Sequence, residues 1–171
     1  MMQHLPMNTT ISVWSAALSA LYTQLISMFA ILGAYHLIWT PLEVHDPLGA
    51  FAMIMLAWFN GCAIGMILLA VKPWFPRATT TAQQIYSRFN MFASGKMFVA
   101  NMLPAYLVAF FSWNPLFHII DQGRGYIFIN YNPLKSGLTY PIVASVVFLV
   151  IGLIGESQTR RHASLSWNAG R

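Results

Sequence analysis

Long apolar runs alternate with short polar connections along this chain, and the runs have the length of membrane helices rather than of strands. Residues 1–42, 47–71, 97–120 and 136–155 contain no Asp, Glu, Lys or Arg. A helix needs about 20 apolar residues to cross about 30 Å of hydrocarbon. The pattern predicts membrane helices over about 13–38, 48–71, 85–99 and 138–155. Trp14 and Trp39 bracket the first, where amphipathic rings settle at the two water interfaces. A continuous helix would separate them by about 37 Å, a full crossing. A cleaved signal peptide is not expected, because the start lacks a basic cluster and the apolar run is too long.

The third segment loses helical character after Val99 and breaks at Pro104, since proline removes a backbone donor and disfavours helical geometry in the residue before it. Ser112-Trp113-Asn114-Pro115 reads as a stop and restart, with Asn114 as helix cap and Pro115 at the first helical position. The pieces 104–111 and 115–126 would each be about 12 to 18 Å long, too short to cross. They predict a re-entrant hairpin, about 104–126, entering from the outer face. Its irregular backbone must be buried in protein or face water. His118, Asp121 and Arg124 fall on one side of its second helix. The expected fold is therefore all-α: a polytopic membrane protein with four transmembrane helices and a re-entrant helical hairpin before the last. A cytoplasmic lead-in, 1–12, and a cytoplasmic tail, 157–171, flank the membrane domain, 13–156.

Composition agrees, with 57% hydrophobic and 8% charged residues and a mean hydropathy of +0.58. A soluble domain would be about a quarter charged. The lone Cys62 supports neither an internal disulfide nor a cysteine-rich zinc site. His118 and Asp121 are too few to define a metal centre. The net charge of +5 does not indicate nucleic acid, because the basic residues flank membrane segments instead of forming a groove. Lys72, Arg77 and Arg88 share one side with Arg160, Arg161 and Arg171, whereas Glu43, Asp46, Arg124 and Lys135 lie on the other. The positive-inside rule places both termini and the middle connection in the cytoplasm.

Several residues carry candidate chemistry. Ala57, Gly61 and Gly65 recur at four-residue spacing and form a small-residue stripe, suited to packing on another helix of this chain or on a second copy. On a continuous third helix Lys96 would sit about 12 Å beyond Arg88, at a depth where lysine costs about 2.5 to 3.5 kcal/mol. That cost favours a water-filled path, an acidic partner or a long snorkel. The path reading joins Lys96 to Ser94 and Asn101 as a lining for an anionic substrate. His118, Asp121 and Arg124 fit an interfacial anchor, a substrate contact or acid-base catalysis, and no nucleophile accompanies them at diagnostic spacing. Glu156 and Arg160 are spaced to pair on one helical face. Gly95-Lys96 is followed by Met97 and lacks the earlier glycine of a phosphate-binding loop, so the chain carries no nucleotide site of that type.

Phe75-Pro76-Arg77, then Phe92-Ala93-Ser94-Gly95, Met102-Leu103-Pro104 and the string from Trp113-Asn114-Pro115 through His118 and Asp121 to Arg124 occur in an order that resembles the permease subunits of type 2 ATP-binding-cassette exporters. The likeness is to those exporting capsular polysaccharide and lipopolysaccharide O-antigen. It is specific from Phe75 to Arg161 and mainly one of pattern from Leu5 to Val71. The resemblance implies a bacterial inner-membrane transport subunit without covalent chemistry or bound cofactor of its own. ATP and magnesium would act at a partner ATPase, alongside a second permease copy and a lipid-linked glycan substrate. Such permeases have six crossings, so the expectation is a shortened subunit or the C-terminal four-helix portion of one, with Met1 opening where the third crossing begins. Alternatives from other classes are an integral membrane enzyme acting on a lipid-linked sugar and a noncatalytic membrane assembly factor.

Overall fold

The computed structural model describes the backbone of residues 9–38 and 43–168 and the side chains of 11–38 and 43–159. The chain divides into two units, Met1–Glu43 and Val44–Arg171. The first holds one helix, α1 (Thr9–Ile38), which begins inside the predicted lead-in. Apolar side chains such as Leu18, Tyr22, Phe29 and Leu37 are exposed along it. Trp39 and most of the lead-in lie outside the described residues.

The second unit contains α2 (Pro47–Val71), α3 (Pro76–Ala93), a single 3₁₀ turn at Ala100–Met102, α4 (Ala105–Phe111), α5 (Pro115–Ile127) and α6 (Thr139–Asn168). Asp46 starts α2 by accepting the Leu48 and Gly49 amides at 3.1 and 3.0 Å, and Pro47 occupies the first turn, where its missing N–H costs nothing. Among the described residues, three stretches are long and apolar enough to cross a membrane: Ile11–Ile38, Pro47–Val71 and Thr139–Thr159. The fold is all-helical among the described residues, and the chain is a multi-pass membrane protein.

α2 and α6 form the spine of this unit. Asn60 Nδ2 donates to Ser145 Oγ at 2.8 Å, Gly152 lies against Met66, and Gly155 lies against Ala70. Further along, Thr159 Oγ1 donates to the Ala70 carbonyl at 3.0 Å and Trp74 Nε1 donates to Thr159 Oγ1 at 3.3 Å. Partner numbers rise together, so the two helices are parallel. The intervening residues, 72–138, must therefore carry the chain back along the length of the pair. Close approach depends on glycine: a Cβ at Gly152 would stand 2.7 Å from Met66 Cβ and 3.0 Å from Ile67 N. Without a hydrophobic driving force between helices in lipid, such small-residue contacts and interhelical hydrogen bonds supply the association.

This packing leaves most of the predicted small-residue stripe outside the contacts within the chain. Ala57 is half-buried, but Gly61 and Gly65 are exposed, and a Cβ on either would meet nothing within 4 Å. α2 instead presents Asn60, Ala63 and Ala70 inward. Gly61, one residue after Asn60, is turned about 100° away from that face at 3.6 residues per turn.

The predicted third helix, 85–99, needs correction. α3 starts at Pro76 and ends at Ala93. Its first half is polar, with the hydroxyls of Thr79, Thr80 and Thr81 donating to the carbonyls of Phe75, Pro76 and Arg77 at 2.8, 2.8 and 3.1 Å. It ends because Gly95 adopts φ +81°, the left-handed conformation that terminates helices and favours glycine. Lys96 consequently lies beyond the helix and is exposed. The last helix runs past the predicted 138–155 through the expected tail to Asn168. The side chains of Arg160 and Arg161 and the whole of Arg171 lie outside the described residues, so the expected Glu156–Arg160 pairing does too.

α4 and α5 are two short helices within the stretch where the hairpin is expected. Asn114 Oδ1 caps α5 by accepting the Leu116 amide at 3.1 Å, and Pro115 follows in the first turn. α5 packs mainly on α2 and runs antiparallel to it: Gly123 faces Met53, and Tyr126 faces Gly49. The Asp46 amide donates to the Tyr126 carbonyl at 2.8 Å and the His45 amide to the Ile127 carbonyl at 3.3 Å, which ties the end of α5 to the start of α2.

Candidate functional site

The inward face of α5 organises the surrounding loops. Its helical spacing places His118, Asp121 and Arg124 on one side, with His118 and Asp121 buried. Each engages a different segment. His118 Nδ1 accepts the Gly137 amide at 3.2 Å while Nε2 lies 2.9 Å from the Ser112 carbonyl, so Nε2 is the donor. The ring thus bridges the turn before α5 and the approach to α6. It also packs against Tyr140, with ring centroids 5.1 Å apart.

Asp121 accepts hydrogen bonds from the Tyr131 hydroxyl on Oδ1 and from Ser136 Oγ at 2.7 Å on Oδ2. Burial pushes the Tyr131 phenol up to about 12, and the hydrogen bond to Asp121 and that carboxylate's charge act in the same direction. Arg124 donates to the carbonyls of Phe98 at 2.6 Å, Gly95 at 2.7 Å and Lys96 at 3.3 Å. The guanidinium therefore satisfies backbone that the early end of α3 leaves unpaired. Two further links hold this loop: Asn101 exchanges hydrogen bonds with residues 132 and 134 at 2.8 and 3.3 Å, and Lys135 Nζ donates to the Leu103 carbonyl at 2.7 Å.

The sequence candidates fall into distinct places. Ser94 is fully buried and its hydroxyl has no hydrogen-bond partner among the described residues. Asn101 is committed to the loop opposite, and Lys96 is exposed with its ammonium unpaired among the described residues. These three residues belong to one connection, but only Lys96 offers its side chain outward. Trp113 is exposed, and its carbonyl accepts the Tyr140 hydroxyl at 2.7 Å. Asn114 also donates to Asn90 Oδ1 at 2.6 Å, linking the hairpin tip to α3.

Two concave surfaces flank this assembly. An apolar groove of about 530 Å³ runs between α2, α3, the hairpin tip and α6, lined by Ile64, Phe89, Phe111, Trp113 and Phe148 among others. A polar cleft of about 480 Å³ lies between the starts of α2 and of the loop after α5 and includes His45, Asp46, Gln122, Tyr126, Tyr131 and Asn132. Sequence reasoning did not find the cleft, because its parts come from three separated segments and only Asp46, read as a topology marker, had been singled out.

No family model matches the chain. Two curated relatives, both the polysialic acid transport protein KpsM of Escherichia coli, are each 28% identical over 120 residues, covering 68% of this chain and 46% of the relative. The chain thus spans about half the length of the curated relatives it matches. These relatives bear out the resemblance to the permease subunits of type 2 ATP-binding-cassette exporters, to which the chain is similar.

Proposed function

We propose that this chain is a permease subunit, or the C-terminal portion of one, of an ATP-driven exporter that moves polysaccharide or lipid-linked polysaccharide across the bacterial inner membrane. The observation that carries the reading is the parallel packing of α2 and α6, which obliges residues 72–138 to return the chain, taken together with the likeness to a polysialic acid transport protein. α3 and the loop after it make that return as the third of four crossings. The hairpin of α4 and α5 then dips from the outer face to the level of Asn90 and comes back along α2. This leaves both termini in the cytoplasm, where the basic residues concentrate.

In this reading the chain performs no covalent chemistry. A partner ATPase binds ATP and magnesium, a second permease copy completes the path, and closure of the ATPases alters the passage for the glycan. Lys96 offers its ammonium to the anionic part of a lipid-linked glycan. The enzyme alternative gains no support, since Asp121 and Arg124 spend their polar atoms on the protein itself.

Purification of the complex from its native membrane is expected to recover an ATPase whose turnover depends on this chain. An export-active complex lacking any ATPase would overturn the reading. For Lys96, substitution by methionine should lower export at equal protein abundance; unchanged export removes it from the path.

A further inference from the structure

We infer that the polar cleft beside the start of α2 binds an uncharged hexopyranose unit, and that the glycan served by this chain presents such units. The second half of that statement rests on the export reading; the binding itself does not.

The cleft has fixed walls. The backbone bonds from His45 and Asp46 to the end of α5 hold one side. The Tyr131–Asp121 and Asn101–Asn132 hydrogen bonds hold the other. Gly125 lets the loop close down, because a Cβ there would stand 2.8 Å from Pro133 Cδ. A ligand thus meets a largely preformed surface and the protein loses little freedom on binding it.

Its polar groups remain available. Asp46 spends Oδ1 on the α2 cap and Gln122 spends Nε2 on Ser136, leaving Oδ2 and Oε1 unpaired. The His45 ring, the Tyr126 hydroxyl and the Asn132 side-chain amide take no hydrogen bond among the described residues. Mixed donors and acceptors beside two tyrosine rings match a sugar, whose hydroxyls both give and accept and whose C–H face lies against aromatic carbon. At about 480 Å³ the volume is within the range of small-ligand sites.

Charge narrows the choice. Asp46 contributes a carboxylate, while no Lys or Arg among the described residues lines the cleft. The nearby Arg124 has its guanidinium turned to the carbonyls of the α3–α4 connection. An acidic sugar would therefore bring its carboxylate to Asp46 without a compensating cation, which disfavours it. The cleft selects a neutral unit, unlike the sialic acid in the names of the KpsM relatives.

The test is calorimetric titration of the full chain in lipid nanodiscs prepared without glycosidic detergent, with maltotriose and a sialic acid trimer as probes. Maltotriose should bind saturably and the sialic acid trimer should not. Asn132→Ala alters an exposed side chain and should weaken maltotriose binding about tenfold, the equivalent of one good hydrogen bond. Asp46→Asn keeps an oxygen to cap α2 but removes the charge, and should admit the sialic acid trimer while retaining maltotriose binding. Absence of maltotriose binding, equal binding of both probes to the unaltered chain, or indifference to both substitutions overturns the inference. Recovery of the partner ATPase is read separately, so failure of the cleft and failure of the export reading are distinguishable.

Discussion

Arg124 shows how a charged side chain near a membrane can serve backbone rather than chemistry. Its planar fork reaches three carbonyls, a geometry that the single ammonium of lysine does not reproduce. Arg124→Met should cost about 2 kcal/mol, since hydrogen bonds from a charged donor are lost and carbonyls are left unsatisfied. Arg124→Lys should recover only part of this, as read by thermal unfolding in nanodiscs. Tyr131 gives a pH-dependent check. Its folded-state pKa, about 12, lies above the ordinary value of about 10, so the neutral hydroxyl is the stabilised form. That contribution is fully present below about pH 10 and is lost as pH rises through about 12. An absorbance titration should contain a late tyrosine that disappears in Tyr131→Phe; identical profiles contradict the Asp121 contact. That His118, Asp121 and Arg124 share one side of α5 was legible from their three-residue spacing. Their partners were not, because the Arg124 acceptors are 26 to 29 residues away and carry no side-chain signal.

Helix ends and helix contacts diverged from the sequence pattern for separate reasons. Asn114-Pro115 marked the start of α5 because capping is local. Hydrophobicity continued across residues 97–99 and extended the expected third helix, whereas Gly95 ended it through backbone conformation. Ser94-Gly95-Lys96 was therefore the available signal for the stop. The α2 stripe is not the seam within the chain: Gly152 and Gly155 of α6 make the close approach there. Gly152→Leu should separate α2 from α6, since even a Cβ meets Met66 and the Ile67 backbone, whereas Gly61→Ala should be tolerated in the isolated chain. Oxidative cross-linking between cysteines placed at Ala70 and Gly155, in a Cys62→Ala background, should be efficient and should be lost on adding Gly152→Leu. Cross-linking that survives this change would contradict the packing.

For the whole molecule, apolar run length disclosed a multi-pass membrane protein, and the ordered motifs from Phe75 to Arg161 disclosed its relatives. The polar cleft was hidden because the fold assembles it from residues 45–46, α5 and the following loop. Four expected crossings already made α2 and α6 parallel, but their direct packing was equally hidden, and it gives topology physical content: with parallel neighbours, a connection that stayed on one side would contradict the packing. The central claim is therefore a returning chain with its short hairpin at the outer face. It is tested most directly by labelling single cysteines at Lys72 and Leu134, in a Cys62→Ala background, with a membrane-impermeant reagent in cells whose inner membrane is intact but accessible from outside. The account predicts immediate labelling at position 134 and labelling at position 72 only after permeabilisation; equal labelling of both from outside would contradict it.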